Sequence, residues 1–163
     1  MREVVSNTSP LLYLHRIGVL DWLPEFFGEI RVPGAVVHEL NESRLRGYSV
    51  PDLEECSWVR IVEPQSVPPE WFVLDLGPGE LAAVSLALEN PTLAVLLDDA
   101  LARRIAKAAG LSVWGTLRIL LEAKARGLTP TIEPLIYRLR DAGMWISDDI
   151  QRRILNLAGE KMG

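Results

Sequence analysis

Residues 93–117 read LAVLLDDALARRIAKAAGLSVWGTL and decide the fold class. The apolar runs at 93–98 and 111–114 have the length and composition of buried strands. Between them, residues 99–109 show apolar positions at helical spacing and stop at Gly110, a residue typical of helix C-termini. A strand, a helix and a second strand in direct succession predict a parallel sheet that is covered by helices.

The same alternation extends along the rest of the chain. Short apolar runs predict three more strands, at residues 2–6, 29–33 and 58–62. Helical periodicity predicts one or two helices within 10–27 and further helices at 33–46, 79–90 and 116–126, then at about 131–142 and 147–158 with Thr131 and Ser147 as N-caps. We therefore expect an α/β fold, a three-layer sandwich with a central, mainly parallel sheet flanked by helices. No repeat or boundary interrupts the pattern, so residues 1–163 are predicted to form a single domain with the last two helices appended.

Composition narrows the class of protein. Hydrophobic residues make up 48% and charged residues 24% of the 163 positions, which is typical of a globular protein rather than a disordered one. The apolar runs are too short for a membrane span, so we expect a cytoplasmic protein without a membrane partner. The single cysteine, Cys56, cannot form an internal disulfide or a CxxC pair. The net charge of −5 argues against a general nucleic-acid coat protein, although most basic residues lie in the second half of the chain.

Polar residues collect where the predicted strands end. In a parallel sheet, the carboxyl ends of the strands and the N-termini of the following helices share one edge, where such folds bind ligands. Asn7 ends the first strand, Asp98 and Asp99 end the strand LAVLL, and Glu80 lies in the first turn of the helix after Gly-Pro-Gly. Glu39 lies about two turns into its helix and would need its long side chain to reach the same rim.

Each of these residues also has an ordinary structural explanation. Glu80 near a helix N-terminus is stabilised by the helix dipole. Asp98 or Asp99 can be an N-cap, and Asp99 can pair with Arg103 one turn later. Asn7 can close an Asx-turn, and Glu39 can be an exposed helix residue.

The conjunction of these residues favours a functional site. Several carboxylates in one pocket cost several kcal/mol in repulsion and lost hydration unless a cation lies between them. Oxygen ligands without Cys or a suitable His favour a hard ion such as Mg²⁺ or Mn²⁺. Such an ion commonly serves phosphate chemistry by polarising a phosphoryl oxygen and activating water. The pattern therefore predicts a phosphodiesterase.

Three motifs carry a resemblance to a known family: VVSNTSPLLYLHRIGVLDWLPEFFGEIRVPGAVVHEL, LGPGELAAVSLALE and LLDDALARRIAKAAGLSVWGTL. In order and spacing they resemble the PIN-domain superfamily, in particular a prokaryotic branch of unassigned function related to the toxin ribonucleases of toxin–antitoxin pairs. The resemblance covers about residues 3–145. It implies an endoribonuclease that cleaves single-stranded RNA with Mg²⁺ or Mn²⁺ held by three or four acids. It also implies a homodimer and an antitoxin-like protein partner.

The resemblance implies a role for individual residues. It puts Asn7 where most PIN nucleases have their first aspartate, and Glu39, Glu80 and Asp99 at the following three acids. The catalytic candidates are these four, and Asp98 is a further candidate ligand beside Asp99. Hydroxyls such as those of Thr8 and Ser9 commonly accompany the first acid in this family. Candidate substrate contacts are Thr8, Ser9, Arg103 and Arg104, since guanidiniums can bind a phosphate backbone.

The residues leave one other function open and argue against a third. Asn7 can offer a carbonyl oxygen but removes one negative charge from the pocket, which favours a PIN-fold module that binds RNA or a protein partner without cleaving. A phosphatase on another doubly wound fold would need an aspartate directly after the first strand, where Asn7 stands. The chain has neither a GxxxxGK[ST] nor a GxGxxG motif, which argues against an NTPase or a dinucleotide enzyme.

Overall fold

Five short strands form one sheet in the computed structural model, which describes residues 2–70 and 74–161. They are β1 (Val4–Ser6), β2 (Ile30–Val32), β3 (Val59–Ile61), β4 (Ala94–Leu96) and β5 (Ser112–Trp114). Neighbouring strands are all parallel, and the order across the sheet is β3-β2-β1-β4-β5. Every strand lies within a run that the sequence predicts to be one.

Eight α-helices occur in the described parts of the chain. They are α1 (Thr8–Arg16), α2 (Trp22–Phe27), α3 (Gly34–Leu45), α4 (Pro78–Glu89), α5 (Ala100–Ala108), α6 (Thr116–Ala125), α7 (Glu133–Asp141) and α8 (Asp148–Leu157), with a short 3₁₀ turn at Leu53–Glu55. The predicted α/β sandwich with a parallel central sheet is confirmed.

Alternate strand residues enter two different cores, which explains why the strands are apolar throughout. Val4 and Leu96 pack with residues of α1, α3 and α6 on one face of the sheet. Val5 and Val95 pack with residues of α4 and α5 on the other face. The sheet is therefore the middle layer of three.

The last two helices build a third apolar cluster, with members that include Leu120 of α6, Leu139 of α7 and Leu155 of α8. Ser147 caps α8 as predicted, because its side chain accepts a hydrogen bond from the backbone N–H of Ile150 (3.1 Å). The N-cap prediction for Thr131 was wrong.

Helix α7 is preceded by Ile132 at its N-cap position, and this residue has no side-chain oxygen to offer. The carboxylate of Glu160 instead accepts hydrogen bonds from the backbone N–H groups of Ile132 (2.9 Å) and Glu133 (3.1 Å). Glu160, although distant in sequence, therefore accepts the hydrogen bonds at the N-terminus of α7 that were expected to go to Thr131. These bonds connect the end of the described chain to α7.

The strand order reverses between β1 and β4, because β2 and β3 extend from one side of β1 while β5 lies beyond β4. Open α/β sheets bind ligands in the crevice at such a reversal, outside the carboxyl ends of the strands. Asn7 follows β1 directly, and Asp98 follows β4 after one residue. The fold therefore places two of the candidate residues at the position where a ligand site is expected.

Candidate functional site

Asn7 and Glu39 come together at the N-terminal end of α4. The side chain of Asn7 is only 5% exposed, and it does not cap α1 although it occupies the N-cap position. Its Oδ1 is buried and finds no hydrogen-bond partner in the described residues, so the predicted Asx-turn does not account for it. The carboxylate of Glu39 accepts hydrogen bonds from the backbone N–H of Gly79 (2.8 Å) and from the Thr8 hydroxyl (2.5 Å). Glu39 is thereby held in place by two different elements.

Gly79 makes this approach possible because it has no side chain. A Cβ at this position would lie 2.7 and 2.8 Å from the two carboxylate oxygens of Glu39 and 3.0 Å from Oδ1 of Asn7. Contacts below 3.0 Å are too close for carbon and oxygen, so any larger residue would displace Glu39. Three side-chain oxygens therefore lie close to Gly79 at the start of α4. The sequence GPG predicts a turn there, but it does not reveal that its second glycine is needed for contact with Glu39.

Glu80 occupies the first turn of α4, as the sequence predicts. Its carboxylate reaches back to accept a hydrogen bond from the backbone N–H of Gly77 (3.0 Å). Burial raises the pKa of Glu80, the bond from Gly77 lowers it, and the negative charges of Asp99 and Glu39 raise it further, with a net increase. Asp99 and Glu39 thus lie close enough to Glu80 for their charges to act on it.

Asp98 joins the end of β4 to the start of α6. Its carboxylate oxygens accept hydrogen bonds from the backbone N–H (2.8 Å) and the hydroxyl (2.7 Å) of Thr116. Burial raises the pKa of Asp98, while the hydrogen bonds from Thr116 and Ser9 and the charge of Arg103 oppose that increase only in part. Thr116 is a site residue that the sequence reasoning missed, and its only signal was a hydroxyl at the start of a predicted helix.

Asp99, the next residue, is exposed and caps α5 by accepting a hydrogen bond from the backbone N–H of Ala102 (2.9 Å). The N-cap explanation for this residue is confirmed. The Arg103 guanidinium donates to the carbonyl of Leu97 (3.0 Å) rather than pairing with Asp99. Arg104 is exposed on the same helix. An exposed carboxylate at the strand end keeps its second oxygen available to solvent or to a ligand.

The predicted substrate contacts Thr8 and Ser9 lie beside carboxylates of the site itself. Thr8 donates a hydrogen bond to Glu39, and Ser9 lies close enough to Asp98 to lower the pKa of that carboxyl. Because both residues belong to the first turn of α1, this turn lies beside an acid from α3 and an acid from the end of β4. Residues 7–9 therefore lie among the acids at this edge of the sheet.

A family model described as a PIN domain matches residues 3–160. The chain belongs to the PIN-domain family. The match continues through α7 and α8, beyond the three motifs that carry the resemblance in the sequence. No curated protein and no solved structure matches the sequence significantly. In the residues that the structure describes, no helix is both long and apolar enough to cross a membrane.

The acids of this PIN domain do not form a closed cluster. Within the ranges 2–70 and 74–161, no three His, Cys, Asp or Glu side chains lie close enough together to hold one ion. Carboxylates that repel one another separate when nothing positive lies between them, and here each binds a nearby donor on Gly79, Gly77 or Ala102. The expected convergence of three acids on a single ion is therefore not seen.

The donor set of the PIN domain nevertheless fits a hard cation. The unpartnered oxygen of Asn7 and the carboxylate of Glu39 both lie close to Gly79, and the negative charge of Asp99 contributes to the raised pKa of Glu80. All four residues offer oxygen, which is the ligand that Mg²⁺ and Mn²⁺ prefer. PIN domains are nuclease-like folds that typically use divalent metals, and the side chains present here are of the type that such use requires.

Proposed function

We propose that this PIN-domain protein is a metal-dependent endoribonuclease that hydrolyses phosphodiester bonds in single-stranded RNA. The observation that carries the proposal is the buried Oδ1 of Asn7, an acceptor without a donor in the described residues that lies close to Gly79, as the carboxylate of Glu39 also does. Buried polar groups are nearly always hydrogen-bonded, and leaving one without a partner costs about 1–3 kcal/mol. Mg²⁺ or Mn²⁺ bound to both oxygens would satisfy them together.

The charges of the rim support the same proposal. The raised pKa of Glu80 reflects burial together with the unrelieved repulsion from Asp99 and Glu39. A bound divalent cation would reverse that repulsion, polarise a phosphoryl oxygen and lower the pKa of an attacking water. In this proposal Glu39, Glu80 and Asp99 are the charged ligands, and Asn7 is a neutral one.

Other residues of the site hold these ligands in position. Thr8 and the backbone of Gly79 orient Glu39, so its carboxylate needs little rearrangement before it binds a cation. Asp98, with both oxygens engaged by Thr116, supports the strand end that carries Asp99 and is not retained as a ligand in the proposal. Metal ligands in proteins are generally oriented by hydrogen bonds from neighbouring residues.

The resemblance to toxin ribonucleases extends the proposal to the biological context. We propose that the protein is the toxin of a toxin–antitoxin pair in the cytoplasm, that it acts as a homodimer, and that an antitoxin-like protein inhibits it. Expression of the wild-type chain should then arrest bacterial growth, and Glu39→Gln should relieve the arrest at an equal protein level. Growth arrest by both chains would contradict the toxin proposal.

A PIN-fold module that binds without cleaving is the second candidate, and Asn7 is the observation that favours it. An asparagine whose amide is turned around would donate its Nδ2–H to Glu39 and would satisfy both side chains without a cation. Such a protein would still present the same rim to RNA or to a protein partner. It would show no dependence on divalent ions.

Cleavage of a mixed single-stranded RNA in the presence of Mn²⁺ tests the proposal. Wild type is compared with Glu39→Gln and with Glu42→Gln, which removes an exposed charge from the same helix. We expect Glu39→Gln to lose roughly 100-fold or more in rate, because it replaces a charged ligand by a neutral one, and Glu42→Gln to cleave normally. Equal rates in wild type and Glu39→Gln would overturn the proposal. Cleavage by Asn7→Asp but not by wild type would favour the binding module.

A further inference from the structure

A groove of about 650 Å³ opens directly beside the candidate site. Its lining includes Asp98 and Asp99 as well as Met144 and Trp145 in the connection between α7 and α8. The volume falls within the roughly 300–1,000 Å³ that is common for ligand sites. The groove is therefore large enough for part of a substrate whose reacting bond lies at the acids.

The lining of the groove is partly apolar and includes an exposed aromatic ring. Trp145 is 85% exposed, although tryptophan is usually buried in most of its surface. Leu117, Leu121 and Ile154 also line the groove. A wide aromatic face beside an apolar wall is the surface on which proteins stack the bases of single-stranded nucleic acids.

Two arginines line the groove along with the acids. The guanidinium of Arg118 lies over the ring of Trp114 at 3.6 Å and makes only a long hydrogen bond, of 3.4 Å, to the Val113 carbonyl. Arg103 donates one hydrogen bond, to the carbonyl of Leu97. No ion pair in the described part of the chain engages either guanidinium. Each guanidinium has five N–H donors, so most of this capacity remains for an anion.

We propose that this groove binds one nucleotide of a single-stranded RNA substrate, with its base stacked on Trp145 and a neighbouring phosphate held by Arg103 and Arg118. The inference rests on the proposed ribonuclease function, because it assigns the groove to the same substrate. Arg103 and Arg118 keep most of their N–H donors unused and lie in the same groove as the acids, so they complement a phosphate beside the reacting bond. The apolar lining and the exposed ring complement a base. The groove thus adds substrate-positioning residues to the rim.

Steady-state cleavage of a short single-stranded RNA by wild type, Trp145→Ala and Trp145→Phe tests the groove. Stacking of one base contributes about 1–3 kcal/mol, so we expect Trp145→Ala to raise KM about tenfold or more with little change in kcat. Trp145→Phe should restore most of the affinity because it keeps an aromatic face. Tyr48→Ala, which removes an aromatic ring that is 60% exposed and lies outside the groove, should leave KM unchanged.

Binding of the same RNA measured by fluorescence anisotropy in EDTA separates the groove from the chemistry. We expect Trp145→Ala to weaken binding about as much as it raises KM, and Arg118→Gln to reduce the slope of log affinity against log salt by about one. Unchanged binding and KM in Trp145→Ala, with cleavage intact, would overturn the groove proposal and leave the ribonuclease proposal standing.

Two further outcomes decide whether the groove binds a nucleotide. If wild type does not cleave but binds RNA through Trp145, the ribonuclease proposal fails while the nucleotide groove stands. If Trp145→Ala dissociates an oligomer in sedimentation and leaves RNA binding intact, the groove is an interface between copies of the chain, and the nucleotide proposal is overturned.

Discussion

Asn7 and Glu39 both bring side-chain oxygens close to the backbone of Gly79. All three oxygens lie within 3.0 Å of the position that a Cβ at Gly79 would occupy. The N–H of Gly79 binds one oxygen of Glu39, but nothing in the described residues binds Oδ1 of Asn7. The strand end, α3 and the start of α4 thus meet at a place where only a glycine fits and where an acceptor lacks a donor.

Gly79→Ala should reduce activity without unfolding the protein. The added Cβ would lie 2.7 Å from Oε1 and 2.8 Å from Oε2 of Glu39, so the carboxylate must move away from residue 79. Alanine is favoured over glycine in a helix by about 1 kcal/mol, which offsets part of the resulting loss of stability. We expect Mn²⁺-dependent RNA cleavage to fall at least about tenfold, as for groups that orient a metal ligand. Rate assays and thermal melts measure the two effects.

Gly77→Ala is the matched control for this substitution. Its Cβ would lie 3.5 Å from Oε1 of Glu80, an ordinary contact, and its backbone φ of −67° suits alanine. Activity should therefore be retained. A Gly79→Ala protein that cleaves as fast as Gly77→Ala would contradict the importance of the contact between Gly79 and Glu39.

Asn7→Asp should couple stability to divalent cations more strongly. A second carboxylate that is almost fully buried beside Glu39 is repelled when no cation is present, so the melting temperature should be lower than in wild type. With Mn²⁺ the added charge becomes a ligand, and about tenfold tighter binding would add about 1.4 kcal/mol to stability at saturating metal. Thermal melts across a Mn²⁺ titration measure both effects. An Asn7→Asp melting temperature that does not respond to Mn²⁺ would contradict the proposed ligand role.

The sequence predicted the elements that depend on local pattern, and the structure explains why it could not predict the contacts between them. Apolar runs such as VVS and AVL are strands because both faces of the sheet are covered, and this leaves a clear signal in composition. The hydrogen bond from Gly79 to Glu39 joins residues 40 positions apart. Nothing in the sequence around either residue indicates that the two are in contact.

Thr116→Val should destabilise the junction between β4 and α6. Valine has nearly the same shape but cannot donate to Asp98, whose partly buried carboxylate would then keep only the backbone donor at this residue. Loss of a hydrogen bond to a charged group costs about 1–3 kcal/mol. Urea unfolding at neutral pH measures the loss, and Thr116→Ser should retain most of the stability because it keeps the hydroxyl.

The penalty of Thr116→Val should depend on pH. Burial raises the pKa of Asp98 above its ordinary value, and loss of the hydroxyl donor would raise it further. The ionised form is the one that needs the donor, so the difference from wild type should be largest above the folded-state pKa of Asp98 and should shrink as the pH falls through it. A difference that grows toward acid pH would contradict this role for Thr116.

Glu160→Gln should loosen the end of the chain from α7. Burial alone would raise the pKa of Glu160, but hydrogen bonds from Ile132, Lys124 and Glu133 and the charge of Lys124 hold it below its ordinary value of 4.5. A lowered acid pKa stabilises the fold above the unfolded-state value, and this contribution is lost as the pH falls through the folded-state value. We expect a loss of about 1–3 kcal/mol at pH 7 that becomes small at acid pH. Denaturant unfolding across pH checks this, with Glu42→Gln as an exposed control.

The role of Glu160 and the groove at Trp145 illustrate a second limit of sequence reasoning. A glutamate near the end of a chain carries no signal that it will bind the N-terminus of another helix, and the local pattern at residue 131 favoured a different cap. The sequence likewise does not show that Trp145 is exposed, because most tryptophans are largely buried. Both features depend on how α7 and α8 pack against α6.

Anomalous diffraction from crystals grown with MnCl₂ tests the central claim most directly, because it locates manganese without relying on activity. We predict one peak about 2 Å from Oδ1 of Asn7 and from an oxygen of Glu39, with Glu80 and Asp99 turned toward it, and no such peak in Glu39→Gln. A wild-type map without manganese at this rim, in which the Asn7 amide donates a hydrogen bond to Glu39 instead, would contradict the metal-dependent ribonuclease proposed here.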